Sequence, residues 1–194
     1  WLTNKMEEFE FPCAQEPLLV RFDQGNYLLK EWSVPKTRKE LLYQLQHDDV
    51  IGRMWAASQL GKTDNDESAT AALWESACHD PFWPVRRAAL EKAGVPRGPD
   101  DIELLKQKCR DQGSRVRVLA LRKLGDTKQG DLAGFFLERF EKDDSYVAQA
   151  EALRAVGKCG DKSSVAFLRQ AAKMDSHRNT IRSAANWALK QLGR

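Results

Sequence analysis

The apolar positions of this chain follow two different spacings. Over the first 36 residues they alternate singly. Phe9 and Phe11 interleave with Glu8 and Glu10, and Leu18, Val20 and Phe22 repeat the pattern, the period of a half-buried strand. Asp23-Gln24-Gly25-Asn26 supplies residues that tolerate positive φ, so Tyr27 to Trp32 reads as the return strand of a hairpin. From Thr37 onward the spacing becomes i, i+4. Leu41/Leu45, Leu73/Ala77, Leu105/Cys109, Phe136/Phe140 and Leu168/Ala172 mark one set of helices. Gly52/Ala56/Leu60, Val85/Ala89/Ala93, Val116/Ala120/Leu124, Ala148/Ala152/Val156 and Ile181/Ala185/Leu189 mark a second set.

The second set carries a recurring phrase, R-x-x-A. It stands at Arg53 to Ala56, Arg86 to Ala89, Arg117 to Ala120 and Arg182 to Ala185, with Gln149 replacing the arginine before Ala152. Self-similarity at this period specifies stacked supersecondary units. The expected fold is mainly α, an α-α superhelix of about five helical hairpins over residues 37–61, 67–94, 100–125, 130–157 and 162–192. A short β segment at 1–36, which either packs on the helices or is the tail of a larger sheet, precedes this repeat domain of 37–194. The small central alanine lets neighbouring helices approach closely. An acidic turn separates the helices of each unit: Asp48-Asp49, Asp80-Pro81, Asp111, Asp143-Asp144 and Asp175. Aspartate there is the expected N-cap of the second helix. Thr37 to Glu40 reads as a capping box, and Gly61, Gly94, Gly125 and Gly157 read as C-caps.

Charge and composition narrow the functional classes. There are 31 basic and 28 acidic residues for a net charge of +3, well short of a nucleic-acid stripe. No apolar run reaches the roughly 18 residues of a membrane span. The expected partners therefore include neither nucleic acid nor membrane. The chain starts at Trp1, which reads as an excised or processed piece. Cys13, Cys78, Cys109 and Cys159 lie far apart without zinc spacing; unpaired thiols point to a reducing, cytoplasmic compartment. His47, His79 and His177 fall near turns of different units, too far apart for ligands at about 2 Å. Neither a nucleophile elbow nor a phosphate loop occurs. No catalytic or metal residue is assigned.

Two groups remain as binding candidates. The row Arg53, Arg86, Arg117 and Arg182 is either a positive inner wall for an anionic partner or a ladder in which each arginine bonds a turn aspartate of its own or the adjacent unit. Residues that depart from the repeat form the second group: Trp55, Trp74, Trp83 and Arg87. Large aromatics anchor partners, and they also fill cores.

Hairpins of this length, with Asp in the turn and R-x-x-A-x-x-L in the second helix, resemble HEAT-like repeats of the phycobilin-lyase type. Pro17 to Lys30, followed by Leu41-Leu42-Tyr43-Gln44-Leu45 and Arg53-Met54-Trp55-Ala56-Ala57, is similar to the junction in M1-family zinc aminopeptidases, where a β-sandwich ends and a helical-repeat domain begins. That resemblance implies a non-catalytic C-terminal piece that braces and partly encloses an active-site chamber. Its partners would be the catalytic and β-sandwich domains of the same polypeptide, together with peptide substrate. Zinc would belong to the parent enzyme, with no cofactor in this chain. The family's H-E-x-x-H helix and G-x-M-E-N motif have no counterpart; Asn4-Lys5-Met6-Glu7-Glu8 is only an echo. The alternatives are an independent HEAT-repeat scaffold that holds a protein, and a HEAT-like DNA glycosylase, against which the near-neutral charge argues.

Overall fold

The computed structural model describes residues 6–30, 33–62, 66–160 and 162–193. Among these residues ten α-helices pair as antiparallel hairpins: α1 (Arg38–His47) with α2 (Val50–Leu60), α3 (Glu67–His79) with α4 (Trp83–Lys92), α5 (Pro99–Lys108) with α6 (Ser114–Asp126), α7 (Ala133–Lys142) with α8 (Tyr146–Cys159), and α9 (Val165–Ala171) with α10 (Thr180–Gln191). None is long and apolar enough to cross a membrane. The even-numbered helices pack successively on one another, whereas the odd-numbered ones chiefly meet their own hairpin partner. The more tightly stacked layer is the inside of a curve, so α2, α4, α6, α8 and α10 form the concave side of an α-α solenoid.

The repeated alanine is the reason that layer is tight. Ala56, Ala89, Ala120, Ala152 and Ala185 are all 0 % exposed. Two of the expected C-cap glycines serve the same end. Gly125 lies inside α6 and Gly157 inside α8. A Cβ on Gly125 would stand 2.8 Å from Ala155 Cβ, and one on Gly157 would stand 2.7 Å from Ala188 Cα. They are helix-contact glycines, and α6 and α8 continue past them. Gly61 does cap α2, and Gly94 follows α4 with φ at +80°.

The Thr37 to Glu40 capping box is present with both of its hydrogen bonds. The turn aspartates behave differently from the expected N-caps. Only Asp49 caps its helix, accepting from Gly52 N–H at 2.9 Å. Asp80, Asp111 and Asp143 accept instead from the N–H two residues on, at Phe82, Gly113 and Ser145. Their carboxylates are turned towards the preceding unit, which removes them from the capping position.

The N-terminal segment departs from the hairpin expectation. Among the described residues there is no strand; 6–30 runs as irregular chain. The turn is there, with Asn26 N–H bonded to Asp23 O and positive φ at Asp23, Gly25 and Asn26. Asp23 also accepts from the N–H groups of Tyr27 and Leu28. Yet Phe9, Phe11, Val20, Leu28 and Leu29 all remain exposed. An isolated two-stranded pairing is marginal without a layer to bury its apolar face, and these helices offer none. Trp32, the end of the expected return strand, and Asn4-Lys5 lie outside the described residues.

Candidate binding face

A column of ion pairs runs along one edge of the solenoid. Arg53, Arg86 and Arg117 of the repeated phrase each reach forward to the turn of the next unit. Arg53 donates to the Asp80 carboxylate through Nε at 2.8 Å, and Arg86 meets Asp111 through two bonds of 2.8 and 2.7 Å. Arg117 pairs with Asp143 through two bonds of 2.7 and 2.8 Å and reaches Asp144 as well. The remaining terminal nitrogen of each donates to the carbonyl of its own turn, at Asp48, Asp80 and Asp111. One guanidinium fork therefore ties two turns together. Burial pushes the Asp111 carboxyl up, but hydrogen bonds from Arg86 and Gly113, with the Arg86 charge, more than offset this and hold it below the usual range.

The column starts before the repeats. Arg21, in the irregular N-terminal segment, bonds Asp48 and Asp49 at 2.6 Å each, doing for the first turn what Arg53 does for the second. It stops at α8. Gln149 keeps the bonds to its own turn, at Phe140 O and Asp143 O, but is too short to cross. Among the described residues Arg182 meets only Asp175 of its own unit, at 3.2 Å, and that aspartate is almost fully exposed.

The sequence candidates thus separate. Arg53, Arg86 and Arg117 are largely buried and form the ladder. Trp74 is buried in the core, and Trp55 packs against it. Trp83 and Arg87 are exposed and stand on the inner side.

Around those two the structure assembles residues that sequence reasoning passed over. The outward stripe of each inner helix lies five and two positions before the repeated alanine and two after it. In α6 these are Arg115, Val118 and Arg122; in α4 they include Arg87 and Glu91; in α8, Val147 and Arg154. A cleft of about 370 Å³ opens here, lined only by α4, α6, α8 and the turns that lead into them. Arg115 stacks over the Trp83 ring with its guanidinium 5.8 Å from the centroid. Arg122 and Arg154 share one carboxylate, Glu151, at 3.3 and 3.2 Å. That carboxylate is buried, whereas the corresponding positions of the other inner helices are Trp55, Ala88, Leu119 and Ala184. The signal was present in the repeat register: a Glu among apolar residues, and arginines at positions that carry Met54 and Ser183 elsewhere or share a register with Ile51 and Ser58.

The cysteines add no reactive centre to this face. Cys109 is buried, and burial pushes its thiol far above the usual range.

A family profile described as HEAT repeats matches residues 27–94 and 133–194, well over half of the chain. The unmatched stretch between them contains α5 and α6, which stack in the same manner as their neighbours. No curated protein matches the chain significantly.

Proposed function

The chain belongs to the HEAT-repeat family, and on that premise we propose that it is an interaction scaffold holding a segment of a partner protein along its concave face. One observation carries the reading: the arginines of that face differ from the ladder arginines in being accessible. Arg87, Arg122 and Arg154 are 44 %, 54 % and 34 % exposed at the side chain, against 11 to 13 % in the ladder. Arg87 and Arg122 line a cleft with Val118 and Val147 at its wall and Trp83 close by, and Arg154 shares Glu151 with Arg122. Rigid helices present all of these groups, so little ordering is left to occur on binding. Panning a displayed random-peptide library against the intact chain tests this. Selected peptides should lose binding to Val118→Lys; peptides that bind that variant unchanged would place recognition elsewhere.

A second, finer reading has its own support. The repeats would be the C-terminal part of a zinc aminopeptidase, bracing its chamber. The order of a β-patterned segment followed by repeats agrees with it, as do the large apolar side chains that the segment leaves uncovered, Phe9, Phe11 and Leu29 among them. Arg21 would then fix the joint between the two parts. Reading the gene upstream decides: an H-E-x-x-H codon run in the same frame is expected, and a frame without one overturns this reading.

A further inference from the structure

We propose that the concave face recognises an acidic, extended segment, with Arg87, Arg115, Arg122 and Arg154 receiving carboxylates spaced about one repeat apart. This deepens the scaffold reading and rests on it. The ladder explains Arg53, Arg86 and Arg117, but it explains none of these four. Arg87 lies 3.8 Å from Glu91, and among the described residues Arg115 meets only the Trp83 ring. Arg122 and Arg154 divide a single carboxylate between them. A guanidinium has five N–H donors in a planar fork matched to a carboxylate, so each retains donors for a ligand. Against Glu91 and Glu151, the four arginines leave an excess of two positive charges on a chain whose overall balance is near neutral.

The placement of Glu151 strengthens the case. A buried carboxylate where the other units have apolar residues adds nothing that the stack requires, and ionised groups are costly to bury. Its effect is to hold two guanidiniums on the concave side.

The carboxylates among these arginines favour a peptide over a nucleic acid. Stacked helices lie about 9 Å apart, and every nucleotide carries a phosphate, whereas a peptide can leave the residues between two acids uncharged. Glu91 and Glu151 would repel phosphates that fall between the arginines. An extended chain advances about 3.3 Å per residue, so acids at every third residue meet successive units. Apolar residues between them would face Val118 and Val147.

The test uses three fluorescein-labelled probes on the intact chain. One is a peptide of about nine residues, long enough to span three units, with Glu at every third position and Leu and Ser between. The second replaces each Glu by Gln, and the third is oligothymidylate of similar length. The acidic peptide should bind at least about tenfold more tightly than its Gln form, lose that margin in high salt, and lose it in R115Q/R122Q with helicity unchanged. Equal binding of the two peptides would overturn the acidic preference and leave the scaffold reading standing. Binding of neither would end both. Oligothymidylate binding as tightly as the acidic peptide would reassign the face to nucleic acid.

Discussion

Replacing Arg86 by methionine tests the ladder where it is best formed. The substitution keeps most of the side-chain volume and removes the fork that joins the turn of the second unit to that of the third. Asp111 would lose two bonds, of 2.8 and 2.7 Å, while its carboxylate stays 4 % exposed and retains only the Gly113 N–H. The carbonyls of Asp80 and Pro81 lose their donor too. Removing one partner of a buried pair costs about 3–5 kcal/mol, because the other charge is left uncompensated. Chemical denaturation followed by circular dichroism should show a loss of that order. Because the rung crosses an interface between units, the transition should also broaden. Asp111→Asn in the same chain removes the stranded charge and should restore at least about 1 kcal/mol of the deficit. The sign of the pH dependence follows from the lowered carboxyl. Asp111 binds its proton less readily folded than unfolded. The rung is therefore complete above the unfolded value near about 4 and fades as pH falls through the lower folded value. The gap between wild type and variant should narrow over that acid range. A cost under about 1 kcal/mol at neutral pH, the worth of an exposed pair, would refute the argument.

Other substitutions probe the remaining parts. Gly157→Ala drives a methyl into the Ala188 backbone and should cost about 1–3 kcal/mol by denaturant titration. Glu151→Leu restores the apolar character of its position and should leave stability unchanged or raise it by up to about 2 kcal/mol in the same assay. Arg21→Ala should speed proteolysis within residues 6–30 and, by leaving the buried Asp48 carboxylate with the Gln44 amide and the Asp49 N–H, also lower the midpoint of the helical transition. With a thiol reagent on the native chain, exposed Cys13 should react fast and Cys109 only after denaturation.

Most of the architecture was legible because it is periodic. Ala56, Ala89, Ala120, Ala152 and Ala185 mark the inner helices in the sequence, and all five are the buried contacts between them. Pairing by the ladder was also within reach, since Arg and Asp recur with the same period as the fold. The length of α6 and α8 was less accessible. Gly125 and Gly157 look like helix ends by residue type, and only their contacts with Ala155 and Ala188 show why the helices pass through them. The N-terminal segment misled for a different reason: alternation describes which side chains could share a face, whereas a strand also needs a neighbour to pair with. Periodicity points first to arginines that the ladder occupies. Arg53, Arg86 and Arg117 recur because the stack consumes them, and Arg115, Arg122 and Arg154 stand out only once the outward register is known.

The missing rung at Gln149 gives the solenoid two kinds of joint. From the N-terminal segment to the fourth turn, each seam is clasped by a guanidinium and a carboxylate. The seam between α8 and α10 is closed by Gly157 against Ala188, with no ladder rung across it. The two kinds of joint therefore answer to different changes: a clasp yields to the loss of one charge, and the last seam yields to one added methyl group.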